Sequence, residues 1–185
     1  MEKKRCKWAS DVPEIYVKYH DEEWGVPCHD DHHLFEMLIL EGFQAGLSWL
    51  TILKKREAFR EAFDHFDATI IKDYDEDKIK TLMQNKAIVR NKRKIEAAKI
   101  NANVFIQIQK EFGSFDAYLW HFTDNKVVYD HDEPIPTSTP LSDEISNDLK
   151  KRGMKFVGTT IIYAYLQAIG VVNSHEKDCF LYQKH

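Results

Sequence analysis

Along most of the chain, apolar residues recur at the three- to four-residue spacing of helices that cover one face of a core. Leu34, Met37, Leu38 and Glu41 fall on one such face, and Asp30 and Asp31 stand where an N-cap belongs. Ser48 is placed to cap the next helix. Its stripe runs through Ala58, Phe59, Ala62, Phe63 and Phe66, while KKRE (54 to 57) faces water. Asp75 or Asp77 opens a shorter helix through Ile79, Leu82 and Met83, with Asn85 as its exit turn. A long helix is predicted from about Asn91 to Phe112 through Ile95, Ala98, Ala102, Phe105 and Ile108. Gly113 stops it and Ser114 caps FDAYLWHF.

The pattern breaks at 123–140, which holds three of the five prolines and the acidic DHDE, so a loop is expected there, with a short strand at Val127 to Tyr129. Ser142 restarts a helix that ends at Gly153, and Thr159 or Thr160 starts another that ends at Gly170. No repeat or low-complexity tract interrupts this order. The fold class is therefore all-α, with about eight helices.

At 185 residues the chain suits a single domain, 1–185, with a helical core over about 30–122 and a hairpin part over about 141–170. A composition of 43% hydrophobic and 30% charged residues fits a folded globular protein and excludes a disordered one. The net charge of -4 does not attract a phosphate backbone, so any nucleic-acid role needs a local basic patch. The basic start MEKKRCKWAS is not followed by an apolar stretch, so it does not read as a secretory signal. The longest uncharged run, FVGTTIIYAYLQAIGVV, falls short of the roughly 20 apolar residues that a membrane span needs. A cytoplasmic protein, away from membranes and monomeric, is expected. An odd count of three cysteines, Cys6, Cys28 and Cys179, argues against a disulfide framework.

Three stretches carry candidate chemistry. HEKDC (175 to 179) sets His175 and Cys179 one helical turn apart, a spacing suited to two zinc ligands. A tetrahedral site needs two more, from Cys6 with His20 or from the run CHDDHH (28 to 33). Spacing alone does not choose between them, and chance pairing of nine His with three Cys is the plainer account. No HExxH or comparable water-activating pattern is present, so a metal here would be structural. A Cys–His nucleophile lacks any evident orienting partner.

The segment LILEGFQAGLSW (38 to 49) places Glu41 directly after an apolar run and follows it with Gln44, Gly46 and Trp49. Glu and Gln hydrogen-bond the edge of a nucleobase and Trp stacks on its face. Trp8, Tyr16, Tyr19 and Trp24 add to the aromatic supply. Taken alone, these read more simply as core aromatics, with Glu41 ending its helix at the surface. The third stretch, LKKRGMKFVGTTIIYAYLQAIG (149 to 170), is a helix, a glycine-bounded turn and a second helix. Such a turn aims backbone N–H groups at an anion, with Thr159 and Thr160 as hydroxyl donors and Lys150, Lys151, Arg152 and Lys155 beside it. Arg90, Lys92, Arg93 and Lys94 form a second basic run. Basic helix ends are also common for dipole reasons alone.

Several long motifs in order, YHDEEWGVP (19–27), LFEMLILEGFQAGLSWLTILKKRE (34–57), IVRNKRKI (88–95), IPTST (135–139) and KKRGMKFVGTT (150–160), give the chain a close resemblance to the bacterial 3-methyladenine DNA glycosylase I family of the helix-hairpin-helix superfamily. The resemblance covers nearly the whole chain. It implies a structural Zn2+ held by Cys6, His20, His175 and Cys179, which clamps the two ends of the chain together and leaves CHDDHH without a role. It implies base recognition by Tyr16, Glu41 and Trp49, with Trp8, Tyr19 and Trp24 lining the pocket. Leu47 would fill the gap left in the duplex, and Lys151, Arg152, Gly153, Lys155, Gly158 and Thr159 would hold the backbone of double-stranded DNA containing an alkylated purine. The implied reaction is hydrolysis of the N-glycosidic bond of 3-methyladenine after base flipping. Many superfamily relatives carry a catalytic Asp shortly after the second hairpin helix, where this chain reads VVNSH with Ser174 at that place. A narrow range of already activated bases follows, with Glu41 as the candidate catalytic group. The rival expectations are a non-catalytic, zinc-stabilised DNA-binding module and a metal-dependent hydrolase built on CHDDHH.

Overall fold

Nine α-helices make up most of residues 3–183, the part of the chain that the computed structural model describes. Met1 and Glu2 of the basic start, and Lys184 and His185, lie outside the described residues. The helices are α1 (Glu14–Glu22), α2 (Asp31–Gln44), α3 (Trp49–Ala62), α4 (Ala68–Ile71), α5 (Glu76–Gln84), α6 (Lys92–Phe112), α7 (Phe115–His121), α8 (Pro140–Lys151) and α9 (Thr159–Ala168). Two short strands, β1 (Val128–Tyr129) and β2 (Val172–Asn173), pair in parallel. The fold is thus mostly helical, as the periodicity predicts, with one strand where the loop pattern placed it and a partner that no local signal announced.

Side-chain caps fix most of the helix starts. Asp30 accepts from the His33 N–H, Ser48 from Thr51, Asp75 from Lys78, Asn91 from Lys94 and Ser114 from Ala117. Gly113, at φ 89°, ends α6 in a backbone conformation that L side chains rarely adopt. Asp31 has a different task from capping its own helix. Its carboxylate accepts from the N–H groups of Phe115 (2.9 Å) and Asp116 (2.8 Å) and from Gln109, so it docks the start of α7 onto α2. Nor does Ser142 start α8. Thr139 is the N-cap, Pro140 takes the first position, and Ser142 closes a capping box from inside the helix.

Helix α2 is buried almost throughout, from Leu34 to Phe43, and packs against α3, α6, α7 and α9. Phe63 and Phe66 lie beyond the end of α3, in a 3-10 turn at Asp64–Phe66, yet still stack on each other and close over Phe43. Gly170, at φ 71°, is where the segment after α1 crosses the end of α9. A Cβ there would lie 2.2 Å from the Val26 carbonyl carbon. Backbone hydrogen bonds from Gly25 to Gln167 (2.8 Å) and from Cys28 to Ile169 (2.9 Å) seal that crossing.

The KKRE segment does not all face water. Arg56 is buried; its Nε donates to Glu36 Oε1 at 2.8 Å and its Nη1 to both Glu23 oxygens at 2.9 Å. Arg60 adds further bonds to Glu36. Burial alone would raise the Glu36 carboxyl, but hydrogen bonds from Arg60 and Arg56 outweigh it and hold the group below its ordinary value. The network ties the end of α1 to α2 and α3, the three helices that carry the candidate pocket residues. Replacing Arg56 by Met leaves Glu36 buried with one partner fewer and Glu23 with none in the network. The expected loss is about 3 kcal/mol of stability, read by urea denaturation; a loss under about 0.5 kcal/mol would show the pair to be incidental.

Candidate active site and metal centre

A cavity of about 220 Å³ opens between α1, α2, α3 and α9 and is lined by Trp8, Tyr16, Tyr19, Trp24, Glu41, Gln44, Trp49, Ile135, Ala164 and Gln167. All six predicted base-pocket residues meet here. The rings form a continuous wall: Trp8 lies 5.0 Å from Tyr16 and 5.0 Å edge-on from Trp24, and Tyr19 lies 5.6 Å from Trp49. An engineered cavity of about 150 Å³ takes a benzene ring, so this one has room for a single purine.

Glu41 sits on the last turns of α2, 3% exposed, and makes no hydrogen bond or ion pair with any described residue. Burial without a partner pushes its carboxyl up to about 8. Tyr16 and Tyr19 are raised in turn, first by their own burial and then by the Glu41 charge. Opposite it, Trp49 Nε1 is a buried donor with no partner in the protein. An acceptor and a donor are therefore both left without partners in a water-sized aromatic space, the arrangement of a site that awaits a polar, flat ligand.

The turn between α2 and α3 is held from two sides. Gln44 Nε2 donates to Leu47 O at 3.0 Å, and Lys94 donates to the carbonyls of Phe43 (2.8 Å) and Ala45 (2.6 Å). Lys94 is buried, so the basic run read at 90–94 presents Arg90, Lys92 and Arg93 outward and turns Lys94 inward. Leu47 stands out from the turn, 39% exposed, at the mouth of the site.

Cys6, His20, His175 and Cys179 are all buried, and their ligand atoms lie within 4.8 Å of one another. Cys6 Sγ is 3.5 Å from His175 Nδ1, and Cys179 Sγ is 3.6 Å from both His175 Nδ1 and His20 Nε2. A tetrahedron with Zn–S near 2.3 Å and Zn–N near 2.05 Å has S···N edges of about 3.6 Å, so this set fits a metal ion of that kind. The outer contacts also fit: His20 Nδ1 is held by Asp21 at 2.8 Å and His175 Nε2 by the Trp24 carbonyl at 3.2 Å, which turns the other ring nitrogens inward. Burial, and then His20, keep His175 neutral with a pKa of about 4. Burial pushes the Cys6 thiol up to about 12, so a thiolate there calls for a bound cation. His20 stacks on Trp24 and lies 5.1 Å from Trp8, which places the cluster directly behind the aromatic wall. The alternative run is not gathered: Cys28 contacts the Asp30 carbonyl, His29 pairs with Asp116, and His32 contacts the His65 carbonyl.

Lys151 and Lys155 are exposed around the α8–α9 turn, with Gly153 at φ 104° and Gly158 as the N-cap of α9. Asn101 clamps this turn through both the N–H and the carbonyl of Lys155. Two of these residues already have protein partners. Arg152 is held at 2.7 Å by both Glu111 and Asp148, and the Thr159 hydroxyl meets Ser142 at 2.8 Å. Sequence reasoning left out of the pocket Ile135, Ala164 and Gln167, which come from the IPTST loop and the apolar helix α9. Gln167 alone carried a signal, as a polar side chain in an otherwise apolar helix.

The family model described as Methyladenine glycosylase matches residues 8–182. DNA-3-methyladenine glycosylase 1 of Escherichia coli (strain K12) is 45% identical over 181 residues, 96% of each chain. A crystal structure of 3-methyladenine DNA glycosylase I superposes with a TM-score of 0.93 at 46% identity, covering 97% of this chain and 100% of that one. A variant of a 3-methyladenine DNA glycosylase I crystallised in complex with 3-methyladenine gives a TM-score of 0.92 at 36% identity, over 98% of both chains. With its length, its helices and its pocket all shared with these proteins, the chain belongs to the methyladenine glycosylase family.

Proposed function

We propose that this protein is a monofunctional DNA glycosylase that hydrolyses the N-glycosidic bond of 3-methyladenine in alkylated DNA, releases the free base and leaves an abasic site for base excision repair. The observation that carries this reading is Glu41, a carboxylate buried without a partner in an aromatic cavity of purine size. Methylation at N3 gives the nucleotide's base a positive charge, and a flipped cationic ring brings Glu41 the counter-charge that the protein withholds. The wall of Trp8, Tyr16, Tyr19, Trp24 and Trp49 supplies the faces for stacking.

The chemistry then balances without a strong acid. Water adds to C1′, the C1′–N9 bond breaks with its electron pair passing to the ring, and the ring leaves as neutral 3-methyladenine while one proton from water goes to solvent. Glu41, which touches the base, is the group assigned to this step. Leu47 at the mouth would enter the space vacated in double-stranded DNA. Lys151, Lys155, Gly153, Gly158 and Thr159 form the phosphate grip of a helix-hairpin-helix, with Arg152 bracing its turn. Cys6, His20, His175 and Cys179 would hold one Zn2+ whose four protein ligands leave no open position, so its contribution is to fix the pocket's back wall. A monomer working in the cytoplasm fits this reading.

The binding-module alternative is separated by product analysis. Incubation with methylated duplex should release 3-methyladenine, and Glu41→Gln and Trp49→Ala should each lower kcat/KM roughly 10- to 100-fold while remaining folded. Duplex bound with no base released would overturn the enzyme reading. The empty pocket holds Glu41 protonated below about pH 8, so kcat/KM should rise as pH approaches 8 and lose that rise in Glu41→Gln. Because the folded pKa lies above the unfolded one, ionising Glu41 removes stability as pH climbs toward 8. Glu41→Gln should therefore raise Tm more at pH 9 than at pH 5; equal shifts would contradict the buried-charge account. For the metal, elemental analysis should find one zinc per chain, lost in Cys179→Ala together with several degrees of Tm. A Cys179→Ala protein with unchanged zinc and unchanged Tm would remove the structural-metal reading.

A further inference from the structure

Gln167 lines the base cavity and is only 8% exposed, yet just one end of its amide is engaged. Its Nε2 donates to Ser174 Oγ at 3.0 Å, while Oε1 accepts no hydrogen bond from any described residue. The chain of contacts continues away from the pocket. Ser174 hydrogen-bonds the Tyr163 phenol, and Tyr163 Oη donates to Asp130 Oδ2 at 2.5 Å. Burial and then Asp130 push the Tyr163 phenol up, and the hydrogen bond from Ser174 opposes them, as expected of a hydroxyl that donates to the phenol oxygen. Asp130 lies in a second cavity of about 520 Å³ beside the 130–141 loop, not among the residues of the base pocket.

An ionised carboxylate only accepts hydrogen bonds, so it sets the direction of every donor behind it. Tyr163 must give its proton to Asp130, Ser174 must give its own to Tyr163, and Gln167 must therefore present N–H to Ser174. An amide so oriented has its oxygen left for the cavity.

We infer that Gln167 is a specificity residue whose carbonyl oxygen accepts from the 6-amino group of the bound purine, and that Asp130, acting through Tyr163 and Ser174, is the positioning residue that fixes the amide in that orientation. The inference rests on the cavity being the base site. It deepens that reading by giving the site a second acceptor beside Glu41, directed at the one substituent that separates adenine from its 6-oxo analogues. A 6-oxo base would set oxygen against oxygen in a nearly water-free space, where an unmade polar contact is costly.

The test uses the free bases 3-methyladenine and 3-methylhypoxanthine, with quenching of the pocket tryptophans as the readout, so that it does not depend on base release. The wild type should favour 3-methyladenine by at least tenfold. Gln167→Met should weaken 3-methyladenine binding about tenfold and leave 3-methylhypoxanthine nearly unchanged. Asp130→Asn, which can donate as well as accept, should narrow the preference severalfold, while Asp130→Glu, still acceptor-only, should retain it. A purely structural role would weaken both bases together. An unaltered ratio in Asp130→Asn overturns the relay, even if Gln167→Met fails to fold. Base discrimination without release from DNA would instead leave the relay standing and fail only the enzymatic reading.

Discussion

A carboxylate desolvated among aromatic rings with nothing to pair it persists only where its surroundings cannot move to relieve it. Glu41 is in that position, and much of the remaining structure serves to keep it there. If the pocket relaxed, water would reach the carboxyl or a lysine would fold in, and the affinity for a cation would be lost. Lys94 is the nearest threat turned to use: its ammonium is fully occupied by the carbonyls of Phe43 and Ala45 at the end of α2, and so stabilises the helix end without reaching the carboxylate. The Cys/His cluster fixes the other wall, since His20 and His175 both lie against Trp24.

Helix α2 carries a control for this argument within its own sequence. Glu36 and Glu41 are both buried, yet Glu36 meets two arginines and is held below its ordinary pKa, while Glu41 meets none and rises to about 8. The difference is one of supply. Arg56 and Arg60 come from the α3 face that abuts the middle of α2, whereas the end of α2 is faced by rings from α1 and by Trp49. One carboxylate organises the helices, and the other remains available for a ligand.

Much of this could be read from the chain, and what could not has a common cause. The caps at Asp30, Ser48, Asp75, Asn91 and Ser114 are local events, decided within three residues, and they stand where the pattern put them. The pocket aromatics and the four Cys/His ligands came from the resemblance, because their spacing along the chain carries no information about their meeting. The misplaced residues were polar ones whose partners lie far away in sequence. Asp31 looks like a cap until α7 arrives to use it, and Arg56 and Lys94 look solvated until Glu36 and the end of α2 close over them. Helix α1 escaped because it buries only Tyr19 and His20, too few for an apolar stripe. Gln167 escaped because a lone polar residue in an apolar helix gives no hint of which way its amide points.

The same desolvation that makes Glu41 expensive also sets what the enzyme can ignore. At neutral pH the empty pocket holds a neutral acid, and a neutral adenine entering it gives the carboxyl no reason to ionise. A methylated, cationic nucleotide does, and the Coulomb attraction then acts in a medium of low dielectric, where it is several-fold stronger than in water. Charge on the base is also what weakens its glycosidic bond, so one property of the substrate governs both recognition and departure. A strong acid at the Ser174 position would loosen that restriction by helping uncharged bases leave. A serine there, donating toward Tyr163 and orienting Gln167, keeps the site dependent on damage that has already activated its own removal.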